Sequence, residues 1–236
     1  KIPELKIKKI NCGKKVYDWK IPAEWIIKEA YVLDKNKKKI IDFKKNNLHL
    51  VGYSYPIHKK LSFAKLKKKL HFLRSQPSAI PYVTSYYQKN WGFCLSYNNF
   101  KRLNKKGLYE VKINSKLSKG YLNYGELIKK GKSKKEIILT TYICHPSMAN
   151  NELSGPCVLT YLSKWLIKRK TKYTYRIIFA PETIGAINYI HSNIKKLKKV
   201  FAGLNFTCLG GKDIFTFLPS KFENSYIDQL ILNTLK

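Results

Sequence analysis

Residues 136–155 read Glu136-Ile137-Ile138-Leu139-Thr140-Thr141-Tyr142-Ile143-Cys144-His145-Pro146-Ser147-Met148-Ala149-Asn150-Asn151-Glu152-Leu153-Ser154-Gly155. The first eight are almost continuously apolar or β-branched, as expected of a strand covered on both faces. The text then changes character, through a Cys-His-Pro turn and a run of amides and a carboxylate, to a Ser-Gly pair that opens a helix. Gly155–Lys170 carries Val158, Leu159, Leu162, Trp165 and Leu166 on one side. Pro156 suits the first turn of that helix and cationic residues fill its last. The pattern repeats downstream: Tyr173–Ala180 reads as a second buried strand and Ala186–Leu197 as a second helix, with Ile187, Ile190 and Ile194 at helical spacing. Val200–Leu209 reads as a third strand, closed by Gly210-Gly211. Strands alternating with helices predict an α/β fold, a sheet with helices on its faces.

In such sheets, sites form outside the carboxyl ends of the strands. The three strands end in Cys144-His145-Pro146-Ser147, Ala180-Pro181-Glu182-Thr183 and Leu204-Asn205-Phe206-Thr207. Together they deliver a His, an Asn-Glu pair and a Glu to one edge. Neutral imidazole and carboxylate oxygens are good zinc ligands, and zinc lowers the pKa of water towards about 7. A neighbouring carboxylate off the metal can then act as general base. On this reading His145 is a ligand, Asn151 or Glu152 faces the metal, and Glu182 is the base. The bland alternatives are a structural strand-end histidine and two carboxylates that merely sit on helix N-terminal dipoles. The remaining histidines, His49, His58, His71 and His191, lack ligand spacing.

From about Val16 to Ile113 the text differs. Short aromatic and β-branched runs (Trp25–Leu33, Leu48–Ser54, Tyr82–Tyr87, Trp91–Ser96, Tyr109–Ile113) are broken by Lys35–Lys39, Pro56, Pro77–Pro81 and Asn98–Asn99. This predicts a β-rich module. One helix interrupts it, with Ser62 as N-cap and Phe63, Leu66 and Leu70 as its stripe.

The chain has 236 residues, 44% of them hydrophobic, enough for a real core. Its formal net charge of +33 invites a polyanion partner. Only four of the 47 basic residues are Arg, however, and the Lys are scattered in short runs rather than gathered on one element. Base-edge recognition favours Arg forks, so the charge reads as a solvated surface and argues against a nucleic-acid partner. Five cysteines, an odd number without regular spacing, make neither a disulfide framework nor a Cys-only zinc site. They fit a reducing, cytoplasmic setting. No apolar run is long enough to span a bilayer, so no membrane partner is expected.

Several stretches carry a resemblance when taken together. They are His145 through Pro156, Pro181-Glu182-Thr183-Ile184-Gly185, and upstream Val16-Tyr17-Asp18-Trp19, Ile80-Pro81-Tyr82-Val83-Thr84-Ser85-Tyr86-Tyr87 and Trp91-Gly92-Phe93-Cys94. The chain resembles zinc-dependent aminopeptidases. More closely it resembles a bacterial family of polysaccharide-biosynthesis proteins with an aminopeptidase-like domain. The resemblance implies a zinc-exopeptidase-like mixed sheet covered by helices, with an inserted β-rich domain. Residues 1–21 would start the core, 22–117 would form the insert, and 118–236 would resume the core, with a further core segment and a winged-helix module beyond.

The resemblance also implies where this chain departs from the zinc-aminopeptidase pattern. Ser147 stands where an Asp orients the first His, and Asn151 where an Asp bridges two metals. Thr183 stands where a second Glu is a ligand, and Thr207 where a third-strand Asp is. The closer family shares Thr at the last two places. The implied cofactor is therefore at most one zinc, with His145, Asn151 and Glu152 as the metal positions within this chain, a His beyond Lys236, and Glu182 catalytic. The implied reaction is hydrolysis of an amide in a small peptide or amino-sugar-like substrate. The alternative is a non-catalytic scaffold that kept the fold and lost the site.

Overall fold

The computed structural model describes residues 2–145, 147–211 and 216–235. Pro146, of the Cys144-His145-Pro146 run, lies outside them. In chain order the first elements are β1 (Lys6–Asn11), β2 (Lys15–Val16), β3 (Trp19–Lys20), β4 (Glu24–Leu33), β5 (Lys39–Asp42) and β6 (Ile57–Ser62). Next come α1 (Phe63–Lys67), β7 (Leu70–His71), β8 (Phe93–Cys94), α2 (Tyr97–Lys101) and β9 (Leu108–Ser118). The rest is β10 (Tyr121–Lys129), β11 (Glu136–Tyr142), α3 (Gly155–Ile167), β12 (Thr174–Ala180), α4 (Ile184–Leu197), β13 (Val200–Asn205) and α5 (Tyr226–Thr234). The chain divides into two compact units, one of residues 1–21 with 121–236 and the other of residues 22–120.

The first unit is built on a five-stranded mixed sheet in the order β1-β10-β12-β11-β13. β11 pairs parallel with β12 on one side and with β13 on the other, while β10 joins β12 antiparallel. The chain thus leaves β11 through α3 to β12, then passes back through α4 to the far side of β11. Period-two alternation along the strands serves both helices. Leu139, Ile177 and Phe179 pack with Leu159 and Leu166 of α3. The alternate residues Ile138, Ile178 and Ala180 pack with Tyr189 and Leu197 of α4.

Both helices sit where the sequence predicts them, but their buried faces differ from the predicted stripes. In α3 the buried residues are Gly155, Leu159, Ser163 and Leu166, while Val158 and Trp165 are exposed and the Arg169 guanidinium lies 4.0 Å from the Trp165 ring centroid. In α4 the buried residues are Gly185, Asn188, Tyr189 and Asn193, and Ile190 and Ile194 face outward. A buried charge on the sheet accounts for the phase of α4. Arg176 of β12 donates to Glu136 Oε2 (2.7 Å), Glu126 Oε1 (3.1 Å) and the Tyr189 hydroxyl (3.0 Å). Tyr189 in turn donates to Glu126 Oε1 at 2.6 Å. A buried ion needs full pairing, so the helix turns its phenol, not its isoleucines, to the sheet. Burial opposes the Arg176 charge, but Glu136 and Tyr189 outweigh it and raise the guanidinium pKa; burial likewise pushes the Tyr189 phenol well up.

The second unit is β-rich. Its antiparallel sheet runs β5-β4-β9-β6, and Ala30, Val32, Val111 and Ile113 face a core completed by Leu66, Phe93 and Leu95. The predicted strands at 48–54 and 82–87 are instead a 3₁₀ turn at Asn47–His49 and isolated bridges, Leu50 with Phe93 and Gly52 with Thr84. Left-handed φ angles at Tyr53 (63°) and Tyr87 (61°) interrupt both runs. The edges β5 and β6 fall in text with too little apolar alternation to read as strand. Their exposed lysines (Lys39, Lys59, Lys60) are how soluble sheets protect an edge from further pairing. The predicted helix after Ser62 is short, Phe63–Lys67, and buries Leu66. Among the described residues no helix is long and apolar enough to cross a membrane.

Candidate active site

The register of the parallel strands decides what meets. Tyr142 pairs with Ala180, and the Ile143 N–H donates to the Ala180 carbonyl at 3.1 Å. The residues that follow each strand therefore emerge side by side, Cys144 and His145 beside Glu182. His145 Nδ1 lies 2.8 Å from Glu152 Oε1, and His145 Nε2 lies 3.6 Å from Glu182 Oε2. The second Glu152 oxygen accepts the Cys144 backbone N–H. Cys144 Sγ is 3.2 Å from His145 Nδ1, 3.9 Å from Glu152 Oε1, and accepts the Glu182 N–H at 3.2 Å. Burial pushes the Cys144 thiol up to about 11; the Glu182 N–H works against that, and the two carboxylates add to it.

Unusual backbone frames the cluster. A π-helical turn, Asn150–Ser154, precedes α3 and carries Glu152 back beneath His145. Single π turns of this kind recur at functional sites. Ser147 and Thr183, one after each strand end, have φ of 64° and 56°, a region that non-glycine residues rarely adopt. The loop after β13 is tied to the same turn, because the Leu209 N–H donates to Ser154 Oγ and the Gly210 N–H to Asn150 Oδ1, both at 2.8 Å.

Beside this lies a second, uncharged cluster. The Tyr142 hydroxyl accepts from Asn151 Nδ2 at 2.8 Å and from Thr207 Oγ1, with Cys208 Sγ 3.7 Å from Asn151 Nδ2. Burial pushes the Tyr142 phenol up. Asn151 Oδ1 is buried and has no hydrogen-bond partner among the described residues. Asn151 and Thr207 are two of the positions where the resemblance implies carboxylates, and here they bond through neutral groups to a tyrosine.

Of the four residues singled out from sequence, His145, Glu152 and Glu182 come together. Asn151 is held through its amide nitrogen by Tyr142, so only Oδ1 is left to face a cation. The largely buried Glu152 side chain, 11% exposed, is engaged through both oxygens with His145 and the Cys144 backbone; that of Glu182 is 51% exposed and accessible. Sequence reasoning passed over Cys144 and Tyr142. The signal for Cys144 was its place one residue before a candidate ligand at a strand end; for Tyr142, its even spacing from Ile138 and Thr140 on the same strand face.

The donor set suits one cation. A ligand atom each from Cys144, His145 and Glu182 lies within 4.8 Å of the others, and thiolate, imidazole and carboxylate are the groups zinc takes. The orphaned Asn151 oxygen is a further acceptor that a cation or a water would satisfy. A cleft of about 480 Å³ opens over Cys144, His145, Ser147 and Glu152. A second of about 350 Å³, walled by Ile138, Ile178, Ala180 and Ile190, is lined also by Tyr142 and Glu182.

Comparison with known proteins agrees with this architecture. A family model described as a domain of unknown function, DUF4910, matches residues 1–236. A Clostridium acetobutylicum protein with the provisional name of a polysaccharide biosynthesis protein with aminopeptidase-like domain is 47% identical over 231 residues, 98% of this chain and 53% of that protein. The crystal structure of a provisionally named peptidase from Clostridium acetobutylicum superposes with a TM-score of 0.93 at 46% identity, covering 98% of this chain and 55% of that one. A zinc aminopeptidase from Bacillus subtilis shares the fold at 13% identity and a TM-score of 0.56, covering 87% of this chain and 59% of that one. The chain thus spans about half the length of the Clostridium proteins it matches. With a family model matching along its whole length, the chain belongs to the DUF4910 family.

Proposed function

We propose that this chain is a metallohydrolase domain of aminopeptidase type, which holds one zinc ion and cleaves an amide bond. The observation that carries the reading is the convergence of His145, Glu152 and Glu182 at the ends of β11 and β12. His145 would hold the ion, with the Asn151 oxygen as a further neutral donor. Glu152 accepts from His145 Nδ1 and so fixes the ring and its tautomer, the support that carboxylates commonly give to metal-bound histidines. When bound, zinc supplies Lewis acidity towards the substrate carbonyl and makes water acidic enough to attack near neutral pH. Glu182, exposed at the head of α4, takes the proton of the attacking water and returns it to the leaving amine. The apolar cleft lined by Glu182 gives an uncharged substrate group room beside the reacting bond.

The uncharged Tyr142–Asn151–Thr207 cluster supports a count of one ion rather than two, since a bridging position needs carboxylate charge. A small peptide or an amino-sugar-like amide fits this chemistry, in a cytoplasmic protein with no nucleic-acid partner. The name of the Clostridium relative links the family to polysaccharide biosynthesis, and we extend that link to this chain. The test is zinc stoichiometry and amide hydrolysis on the full natural protein, with His145→Ala and Glu182→Gln. About one zinc, lost in His145→Ala and kept in Glu182→Gln while turnover falls by about 10²-fold or more, is the expected result. The neutral residues at 151, 183 and 207 favour one rival, a scaffold without catalysis. Normal folding with no zinc would select it.

A further inference from the structure

We propose that Cys144 is itself a ligand of the cation, so that the centre holds its ion through a thiolate–imidazole pair. The inference rests on the reading of His145 as a metal-holding residue and adds a donor outside the ligand positions implied by the sequence. Geometry is the first argument. Cys144 Sγ and a His145 nitrogen lie within 4.8 Å of each other, and a Glu182 oxygen, the base and not a ligand on this reading, is equally near. Ligands of one tetrahedral zinc, with Zn–S near 2.3 Å and Zn–N or Zn–O near 2.0–2.2 Å, sit roughly 3.3–3.8 Å apart, so only a small contraction is required.

The second argument is charge. Glu152 and Glu182 flank Cys144, and among the described residues neither is ion-paired to a Lys or Arg, although the chain carries 47 such residues. Their one paired cationic candidate is His145. A cation among a thiol, an imidazole and two carboxylates supplies the positive charge that the cluster otherwise lacks. The third argument is the sulfur's own partner. The Glu182 N–H points at Sγ from 3.2 Å, and backbone donors of this kind stabilise metal-bound thiolates. Cys144 alone among the five cysteines has this setting. Cys12 packs against the apolar cluster of Ile10 and Leu122, Cys94 is buried in the second unit, Cys157 is exposed on α3, and Cys208 lies against Asn151 and Thr207.

The step balances simply. The S–H bond breaks, its proton leaves to solvent, and a sulfur–metal bond forms, with one proton released for each ion bound. The thiolate brings the anionic donor that Asn151 and Thr207 do not. It also shifts preference towards zinc, cobalt and cadmium and away from magnesium or manganese, which favour oxygen.

The experiment is cobalt(II) loading of the full natural protein, read by absorption, in wild type, Cys144→Ser, Cys208→Ser and His145→Ala. The wild type and Cys208→Ser are expected to show a near-ultraviolet sulfur-to-cobalt charge-transfer band beside the visible d–d bands. Cys144→Ser should lose the charge-transfer band and bind cobalt at least about tenfold more weakly, as loss of even a supporting group does. Zinc X-ray absorption on the wild type, which needs no variant to fold, should find one sulfur near 2.3 Å. Visible bands without charge transfer, or a band that survives Cys144→Ser, overturn the thiolate ligand and leave His145 in place. Failure of the wild type to bind cobalt overturns the metallohydrolase reading as well.

Discussion

Asn151 is the residue at which this site departs furthest from a two-metal pattern. Its amide nitrogen is spent on the Tyr142 hydroxyl, and its oxygen is the one buried acceptor near the site with no partner among the described residues. Asn151→Asp replaces a neutral donor with a carboxylate of the same shape. We expect zinc to bind more tightly by roughly 10-fold or more, measured by chelator competition, because zinc prefers charged oxygen. The same variant tests the ion count. A rise from one to two ions would show that a single amide had kept the second position closed. An unchanged count would place the block at Thr183 and Thr207.

Two elements carry consequences of their own. Position 155, the first residue of α3, has no room for a side chain. A Cβ there would collide with the Phe206 carbonyl and with Thr141 Oγ1, which are already hydrogen-bonded to each other at 2.8 Å. Gly155→Ala should cost about 1–3 kcal/mol, read by chemical denaturation, and should lower zinc content by displacing the π turn that carries Glu152. In the second unit, Glu110 on β9 sits between His58 of β6 (2.9 Å) and Lys37 (2.7 Å). These partners hold its carboxyl at about 2, below the ordinary glutamate value of 4.5. A lowered carboxylate pKa means that the folded state binds the proton less well than the unfolded one. Its contribution is complete above about pH 4.5 and is lost as pH falls through about 2. Unfolding followed by tryptophan fluorescence across pH should therefore show Glu110→Gln modestly less stable than the wild type at pH 7, modestly because its partners are exposed, with the difference closing as pH falls from about 4.5 towards 2.

Across the whole core unit, the Arg176 network is the device that joins the sheet to α4. It ties β10, β11, β12 and the helix through one guanidinium, two carboxylates and a phenol. Arg176→Met would strand Glu136 as an unpaired, largely buried charge and leave Glu126 only the Tyr189 hydroxyl and Lys8 at 3.9 Å. The expected loss is roughly 3–5 kcal/mol, seen as a lower midpoint in thermal or urea unfolding. Replacing both carboxylates with Gln alongside Arg176→Met should recover much of it, since the cost lies in the stranded charge and not in the missing bond.

How much of this could be read without a structure follows from which forces act locally. The three parallel strands and two helices around the site were legible because periodicity and punctuation are local, and the strand-end rule then pointed to His145, Glu152 and Glu182. The phase of α4 was not legible, since the isoleucine stripe suggests one buried face while Arg176, on another element, selects the face with Tyr189. β5 and β6 were missed for a related reason: edge strands rich in lysine carry little apolar alternation, and their identity comes from the partners they pair with. Sequence alone therefore determined the α/β class and the chemistry brought to one edge of the sheet. The tertiary structure decided how that chemistry is arranged. The register of β11 against β12 and the π turn before α3 set Cys144 against His145 and turn Glu152 into the support of the imidazole; both depend on contacts between residues far apart in the chain, which no local pattern encodes.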